Sequence, residues 1–432
     1  MADSNVVKLR LPADAAWAPL AQTVAERAAS LLGLGSEKSL RLAMGSEEFV
    51  LFLAQAFAGT GVELELNRGC THVEAAVLFE AGEADLSGLN LTFAPDLESD
   101  DGLGQMPLVL VSRMADEFTL RAEGGRMRLG MRVDFDYPVV EPDASAGLSA
   151  TGETRTASPQ GPAEVADACA RILGRYPKHM VPVLFKTPGK VADMLAGDRL
   201  QMALARDGSG ALLGAVCWEK TSGRGVGFYG PYVLAEAPDA AGLLCEHMVM
   251  DNARSRAAVL YSLKATPEVP AGLFEEAPGA AWISPEGSEV RTPFYFRHLS
   301  EDIGGEVWGH PGIEGYLEDA YARMGLVRRI RPVRRQGERL PPRSVFTVCL
   351  NHDRSEASLE LLADGEDRLD NLAGHANVLR DEGFCNILLR ADLSVAVQAG
   401  LAGEAVKLGF QPVLVLPFAA GADLLVLRHV RV

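Results

Sequence analysis

The sequence predicts an α+β multidomain protein, in which a helix-on-sheet sandwich is followed by one or two α/β domains. The chain has 432 residues, more than one ordinary hydrophobic core accommodates. A segment between Pro138 and Pro162 is rich in Gly, Ser, Thr and Pro and poor in large apolar side chains. Patterns typical of helices and strands lie on both sides of this break, so at least two folded regions are expected.

The region before the break is predicted to form two helices, two strands, a third helix and a closing hairpin. Apolar residues at helical spacing predict the helices, and alternating or continuous apolar runs predict the strands. The helices are expected at 15–32, 37–57 and 105–116, and the strands at 62–66, 73–79, 118–121 and 127–133. Glu123-Gly124-Gly125-Arg126 favours the hairpin turn. The helices bury their apolar faces on the sheet, which gives the sandwich.

The break itself is predicted to be a flexible linker, because its composition buries too little apolar surface to offset the entropy of ordering it. The region beyond it is predicted in two halves. The expected division is 1–138 for the first domain, 139–163 for the linker, 164–325 for the first half and 326–432 for the second half.

Beyond the linker, two segments follow one plan of strand, polar turn, helix and strand. The first runs from Val226 to Leu263 and the second from Ala357 to Leu389. They agree in element order with little residue identity, so a duplication and a single continuous region both stay open. Aromatic residues at 228–232 and 294–296 are predicted mainly for the core, with the lining of a groove as the alternative.

Charge and cysteine usage exclude several classes of protein. The net charge of −17 at pH 7 argues against nucleic-acid binding, which needs cations to displace phosphate counterions. A basic cluster at 328–339 is predicted to be a solvated connector, with a phosphate or acidic-partner site and internal pairing in so acidic a chain as the alternatives. The six cysteines show no metal-ligand spacing, so no metal site is expected. Without a secretory signal or an apolar run of about 20 residues, we expect a cytoplasmic protein that does not span a membrane.

Four groups of residues in the first region resemble a known nucleotide site. Glu48 lies on the second predicted helix, Asp85 follows the second strand, Phe93-Ala94-Pro95 comes next, and Gly102-Leu103-Gly104 precedes the third helix. Their order resembles the histidine-kinase-type ATPase fold, in the version found in anti-sigma-factor serine kinases. The resemblance implies ATP and magnesium as ligands. It assigns the water-polarising carboxylate to Glu48.

The same resemblance implies that Asp85 binds adenine and that Gly102 and Gly104 receive phosphate at a helix amino terminus. Two positions depart from the family pattern. One turn after Glu48, where the family has an asparagine that binds magnesium, this chain has Phe52, and an apolar side chain supplies no oxygen ligand. Counting back from Phe-x-Pro places Gly88 and Asn90, rather than Asp and Gly, at the adenine motif.

The carboxyl end resembles GNAT-fold acetyltransferases. A predicted helix at 394–407 ends in Leu408-Gly409-Phe410 and leads into two strands at 413–417 and 424–430. The resemblance implies an acetyl-CoA site with a Gln/Arg-x-x-Gly-x-Gly/Ala loop between a strand and a helix. Neither candidate loop, 236–242 or 364–370, has that pattern, and both are acidic.

These observations favour a regulatory protein in which an anti-sigma-kinase-like ATP-binding domain is joined to a GNAT-like region. The family resemblance implies a protein partner, whereas the oligomeric state is left open. Two alternatives stand beside this hypothesis. The first is an N-acyltransferase with an atypical acyl-CoA site, and the second is a non-catalytic interaction scaffold.

Overall fold

The computed structural model describes residues 6–80, 84–95, 98–123, 125–144, 151–334, 337 and 339–430. Within those residues the protein is a mixed α/β structure with nine α-helices and five sheets. The packing of the chain divides it into two compact units. Unit 1 comprises 1–136, 336–349 and 359–378, and unit 2 comprises 137–335, 350–358 and 379–432. The predicted domain boundaries stay predictions, and Gly124 of the predicted turn and Arg335 of the basic cluster lie outside the described residues.

The front of unit 1 has the predicted order of helices and strands, with one strand added before them. Its elements are β1 Val6–Pro12, α1 Ala18–Leu31, α2 Ser36–Ala56, β2 Gly61–Arg68, β3 His72–Glu80, α3 Asp100–Met114, β4 Glu117–Glu123 and β5 Arg126–Asp134. The strands form one antiparallel sheet in the order β1-β2-β3-β5-β4. Helix α2 packs on β2, β3 and β5, so this part is a helix-on-sheet arrangement.

Strand β1 was not predicted from the sequence. It is an edge strand that pairs with residues 61–67 of β2, and only Leu11 of its residues is buried. Its outward side chains Lys8 and Arg10 form ion pairs with Glu63 of β2. A strand held mainly by pairing with a segment about 50 residues away leaves a weak local pattern.

Helix α2 supplies the core of this arrangement. Phe49 and Leu53 are fully buried, and Phe52 is 3% exposed. Gly45 lies against the side chain of Met131 in β5, so a side chain at this position would force Met131 to move. The buried face of α2 explains why its apolar spacing was readable in the sequence.

Helix α3 corrects one prediction. It begins at Asp100, five residues before the expected start at Gln105. Ser99 is the N-cap, and its hydroxyl accepts the backbone N–H of Gly102, which is the usual way a helix start is stabilised. Gly102 and Gly104 therefore lie in the first turns of the helix and not in a loop before it.

Unit 2 begins with a larger sheet. Its elements are β6 Arg155–Ala157, α4 Pro162–Arg175, α5 Pro188–Ala196, β7 Gln201–Arg206, β8 Leu212–Lys220, β9 Gly225–Val233, α6 Ala240–Ala253, β10 Val259–Ala265, β11 Glu275–Ala277, β12 Ala281–Ile283, β13 Glu289–Arg291, β14 Phe294–His298, β15 Gly305–Gly309, α7 Glu314–Met324 and β16 Arg328–Pro332. Seven strands pair in the order β11-β14-β10-β9-β8-β7-β6, whereas β12-β13 and β15-β16 are separate pairs. Strands β9 and β10 are parallel and are connected through α6.

The rest of the chain contributes to both units. Its elements are β17 Val345–Asn351, β18 Glu356–Ala363, α8 Arg368–Asp381, β19 Asn386–Asp392, α9 Ala396–Ala405, β20 Phe410–Leu416 and β21 Leu424–His429. The five strands form a sheet in the order β17-β18-β19-β21-β20. From β18 onward, the elements follow the predicted series of strand, helix, strand, helix, strand and strand.

The segment predicted as a flexible linker, 139–163, forms backbone hydrogen bonds with the rest of unit 2 where the structure describes it. Strand β6 pairs with β7, and the backbone N–H groups of Val140 and Asp143 donate to carbonyls of Lys186 and Ala170. Residues 145–150 lie outside the described residues. This pairing was not visible in the sequence, because backbone N–H and C=O groups form hydrogen bonds whatever side chains they carry. The low apolar content of the segment therefore did not indicate where it pairs.

Arg328, the first residue of the basic cluster, is buried and not part of a solvated connector. Its side chain is 2% exposed and contacts Asp302 and Asp423, each at 2.7 Å. Its neighbour Arg329 is 77% exposed. In the part of the chain that the structure describes, no helix has the length and apolar content to cross a membrane.

Candidate functional site

The residues predicted to bind ATP all lie in unit 1. Glu48 is half-buried on α2, and burial and the neighbouring charge of Glu47 raise its pKa. A raised carboxyl pKa suits a group that takes up a proton. One turn further on, however, Phe52 is part of the core. The residues at the magnesium position therefore do not fit a hard cation.

The predicted adenine motif forms contacts within the chain. Gln105 of α3 accepts the backbone N–H of Gly88 at 3.1 Å and donates to the carbonyl of Asp85 at 3.1 Å. The carboxylate of Asp85 accepts the N–H of Ser87. A Cβ at Gly88 would lie 2.8 Å from the carbonyl oxygen of Gln105 and 3.0 Å from Cβ of Leu108. Helix α3 thus packs directly on the glycine that was expected to make room for a ring.

Asn90, the other residue of that motif, is 7% exposed, and its side chain forms hydrogen bonds with the backbone of the two residues that flank Val345. Its amide nitrogen donates to the carbonyl of Ser344 at 2.8 Å, and its amide oxygen accepts the N–H of Phe346 at 2.9 Å. Both partners belong to the 336–349 segment of unit 1. Asn90 therefore holds this segment in place.

The predicted phosphate-binding glycines are partly engaged as well. The N–H of Gly102 donates to Ser99 Oγ and that of Leu103 to the carbonyl of Ser99. A Cβ at Gly104 would lie 3.5 Å from the side-chain oxygen of Gln55 on α2. The structure thus joins Asp85 to α3 and α3 to α2, but two of the N–H groups at this helix start already have acceptors.

A cavity with both polar and apolar lining lies in unit 2 and was not predicted. It has a volume of about 360 Å³, and its lining includes residues of β8, β9, β10, β18, β19 and β20. We call this cavity the β-pocket. Its apolar lining includes Trp282, Phe294 and Leu388. Its size falls in the range of small-molecule sites.

One side of the β-pocket, the basic wall, consists of His179, Lys264 and Arg354. Burial lowers the pKa of Lys264 to about 8, an effect that Arg354 increases and Glu356 opposes. The pKa of His179 is also lowered, by burial and by the charges of Arg354 and Lys264. Three basic groups therefore affect one another within a single cavity.

The basic wall contains polar atoms without partners. Nε2 of His179 and Nε of Arg354 are buried and have no hydrogen-bond partner among the described residues. Arg354 is 4% exposed, and its guanidinium contacts Glu356 at 3.0 Å. The structure gives the ammonium of Lys264 no hydrogen bond or ion pair among the described residues. Buried polar groups usually have partners, so these atoms point to a ligand or ordered water.

A buried amide positions the aromatic part of the pocket. Asn386 is 2% exposed, and its side chain exchanges two hydrogen bonds with the backbone of Ile283. The indole N–H of Trp282 donates to the carbonyl of Arg354 at 3.0 Å, and the indole stacks on His179 with 5.3 Å between ring centroids. These contacts order the walls before any ligand binds, which lowers the entropy cost of binding.

Another part of the lining carries a carboxylate and two phenols. The hydroxyl of Tyr229 donates to Glu219 at 2.6 Å, and the hydroxyls of Tyr261 and Thr221 share a hydrogen bond. Burial and the charge of Glu219 raise the pKa of Tyr229 well above its ordinary value, so Tyr229 stays a neutral donor. Glu219 is the group in this part of the lining that can accept a proton.

Most of these residues were missed at the sequence level. The aromatic set gave the one usable signal, because Tyr229 and Phe294 line the β-pocket while Phe228 and Phe296 are core residues. His179, Lys264 and Arg354 are widely spaced in the sequence and follow no motif, so nothing local connected them.

Comparisons with known proteins add a limited result. No family model matches the chain, and no curated protein matches it. Among solved structures, it is similar to a putative acetyltransferase from Acinetobacter baylyi (13% identity, 34% of this chain and 94% of that one, TM-score 0.29). It is also similar to a spermidine N-acetyltransferase chimera from Vibrio cholerae (10%, 34% and 96%, TM-score 0.27) and to a putative GNAT-family acetyltransferase from Desulfovibrio desulfuricans (13%, 34% and 100%, TM-score 0.23). With TM-scores below 0.5, these similarities decide neither the fold nor the function.

The two loops expected to hold acyl-CoA do not fit its pyrophosphate. Between β9 and α6, Glu236 and Asp239 are exposed acids that would repel an anion. In the second loop, the carboxylate of Asp367 accepts the N–H of Ser344, and a Cβ at Gly365 would lie 2.3 Å from the backbone of Arg343. That glycine faces backbone instead of an open anion site.

Proposed function

We propose that this chain is a regulatory protein whose unit 2, of GNAT-like architecture, binds a small molecule in the β-pocket. The observation that carries the proposal is a preordered cavity whose wall holds the buried, unpartnered Nε2 of His179 and Nε of Arg354. A cavity of that kind gains free energy when a polar ligand supplies the missing partners. The parallel pair β9-β10 and the terminal strand-helix series support the GNAT-like architecture.

A thermal-shift screen of the full chain with small metabolite-like compounds tests this proposal. A compound that binds the folded state raises the melting temperature, because ligand at about 100 times its Kd adds about 2.7 kcal/mol of stability. We expect Leu388→Trp, which fills the pocket, to abolish the shift. Leu350→Trp, at a position 40% exposed on β17, is the matched control and should keep it. A shift that survives in Leu388→Trp would place the ligand elsewhere.

Acyl transfer to an amine is the second candidate function, and Glu219 is the observation that favours it. A carboxylate beside a neutral phenol can take the proton that an ammonium group loses before it is acylated. Acetyl-CoA belongs in the same screen for this reason. An acetylated amine detected by mass spectrometry, and lost in Glu219→Gln, would support acyl transfer. If acetyl-CoA gives neither a shift in melting temperature nor a product, acyl transfer is rejected and only the small-molecule binding function is retained.

For unit 1 we propose the histidine-kinase-type ATPase fold, here serving a regulatory role with a protein partner. The support is the observed order of strand, two helices, two strands, a helix and a hairpin. Whether it binds ATP is tested by calorimetric titration with and without magnesium. Gly104→Val suits this test, because Gly104 has ordinary space around its Cβ and the variant should fold. Micromolar ATP binding that is lost in Gly104→Val and Glu48→Ala would support the ATPase role, and no heat at millimolar ATP would remove it.

A further inference from the structure

We propose that the basic wall of the β-pocket binds the carboxylate of a small aromatic or aliphatic acid. This inference rests on the proposed function, since it names the class of ligand for the same cavity. It depends on the charges that line the pocket, on the unpaired polar atoms of the basic wall and on the apolar part of the lining.

Among the described residues, one cation of the pocket, Lys264, has no ion-pair partner, and Arg390 is exposed to solvent. The cations in its lining are Lys264, Arg354 and Arg390, and the carboxylates are Glu219 and Glu356. Glu356 contacts Arg354, and Glu219 accepts a hydrogen bond from Tyr229. An uncompensated cation in a partly desolvated cavity is costly. A ligand with one negative charge would supply the missing partner of Lys264.

The polar atoms of the basic wall match what a carboxylate needs. Its two oxygens accept several hydrogen bonds. Nε–H of Arg354 and, in the neutral tautomer that carries its proton there, Nε2–H of His179 are donors without protein partners among the described residues. The ammonium of Lys264 is the third donor of the wall. Charge-assisted bonds of this kind are stronger than those between neutral groups. One carboxylate would therefore satisfy groups that the folded chain leaves unpaired.

The remaining lining fixes the rest of the ligand. Trp282, Phe294, Leu388 and Leu416 present aromatic and aliphatic surface to the same cavity. Such surface binds an apolar body by burial and offset stacking. With about 360 Å³, the pocket accepts a single ring or a short chain attached to the carboxylate.

Matched probes test the inference on the full chain. Phenylacetate, indole-3-acetate and hexanoate are titrated calorimetrically beside their neutral amides and beside phenethylamine, a cation of similar shape. We expect at least one acid to bind at least tenfold more tightly than its own amide. An amide or the amine that binds as tightly as the acid would overturn the anion site while leaving a small-molecule pocket. No binding by any probe would overturn both proposals.

Two variants locate the anion. Lys264→Met keeps the length of the side chain and removes the charge, and we expect it to weaken acid binding at least tenfold while changing amide binding little. It should fold, because it removes an ammonium that has no partner. Lys407→Met, at an exposed position in the turn after α9, is the control and should bind as the natural chain does. His179→Phe keeps the ring against Trp282 and should also weaken acid binding. Unchanged affinity in both Lys264→Met and His179→Phe would refute the assignment.

Discussion

Replacing Arg328 by alanine is expected to destabilise unit 2 by about 3–5 kcal/mol, the largest single effect of a charge substitution that we predict. The reason is that its two carboxylate partners would lose their counter-ion. Asp302 and Asp423 are 5% and 1% exposed, and each contacts the guanidinium at 2.7 Å. Removing the cation leaves two carboxylates buried close together without compensation.

Urea unfolding, followed by tryptophan fluorescence, measures the effect, since Trp308 lies on β15 beside β16. Arg329→Ala is the control, because Arg329 is the next residue of the same strand and is exposed. Exposed ion pairs contribute about 0–1 kcal/mol. The unfolding midpoint of Arg328→Lys should lie between those of Arg328→Ala and Arg329→Ala. Lysine keeps the charge but cannot contact both carboxylates as the guanidinium does. Equal unfolding midpoints for Arg328→Ala and Arg329→Ala would contradict the buried-pair interpretation.

The ion pairs of Arg328 with Asp302 and Asp423 also make the stability of unit 2 depend on pH. Burial alone would raise the pKa of Asp302, but the N–H of Val327 and the charge of Arg328 lower it below its ordinary value. A lowered pKa in the folded state means that this carboxylate stabilises the fold above its unfolded pKa. That stability is lost as the pH falls through the folded pKa.

Replacing Phe52 by asparagine is expected to destabilise unit 1 by about 3–5 kcal/mol and to create no magnesium site. This substitution restores the residue that the ATPase resemblance calls for one turn after Glu48. However, Phe52 is 3% exposed in the helix core. Removing the ring leaves a cavity, and the new amide would be buried without a partner.

Leu51→Asn is the matched comparison for this prediction. If the motif is aligned on Glu47, Leu51 is the residue at the magnesium position. Leu51 is half-buried, so we expect Leu51→Asn to lower the free energy of unfolding by about 1 kcal/mol. Circular dichroism during urea unfolding gives both values, and titration with ATP and magnesium gives the binding. A Phe52→Asn variant that is as stable as the natural chain and binds ATP with magnesium would show that Phe52 faces a ligand and not the core.

The sequence predicted the front of the chain well because the signals there are local. Helix α2 buries one face, so its apolar spacing is visible, and two glycines marked the turn between β4 and β5. The predicted start of α3 is too late because two glycines in three residues are typical of a loop, although Ser99 is a good cap. Strand β1 was missed because most of its side chains are exposed.

The candidate site was much harder to predict, for a physical reason. The basic wall brings together a residue after α4, a residue of β10 and a residue before β18. Each alone is typical of a surface cation, and only the folded chain brings the three to the lining of one cavity. The unpaired nitrogen atoms that mark the site are a property of the folded chain and leave no pattern in the sequence.

The route of the chain between its units has a consequence for how this protein can be divided. The chain passes from one unit to the other five times. A fragment that ends at residue 138 would lack Ser344 and Phe346, the backbone partners of the buried Asn90. No single cut therefore yields two complete pieces. Each unit is assembled from three separate segments of the chain, so removing one whole unit requires three deletions.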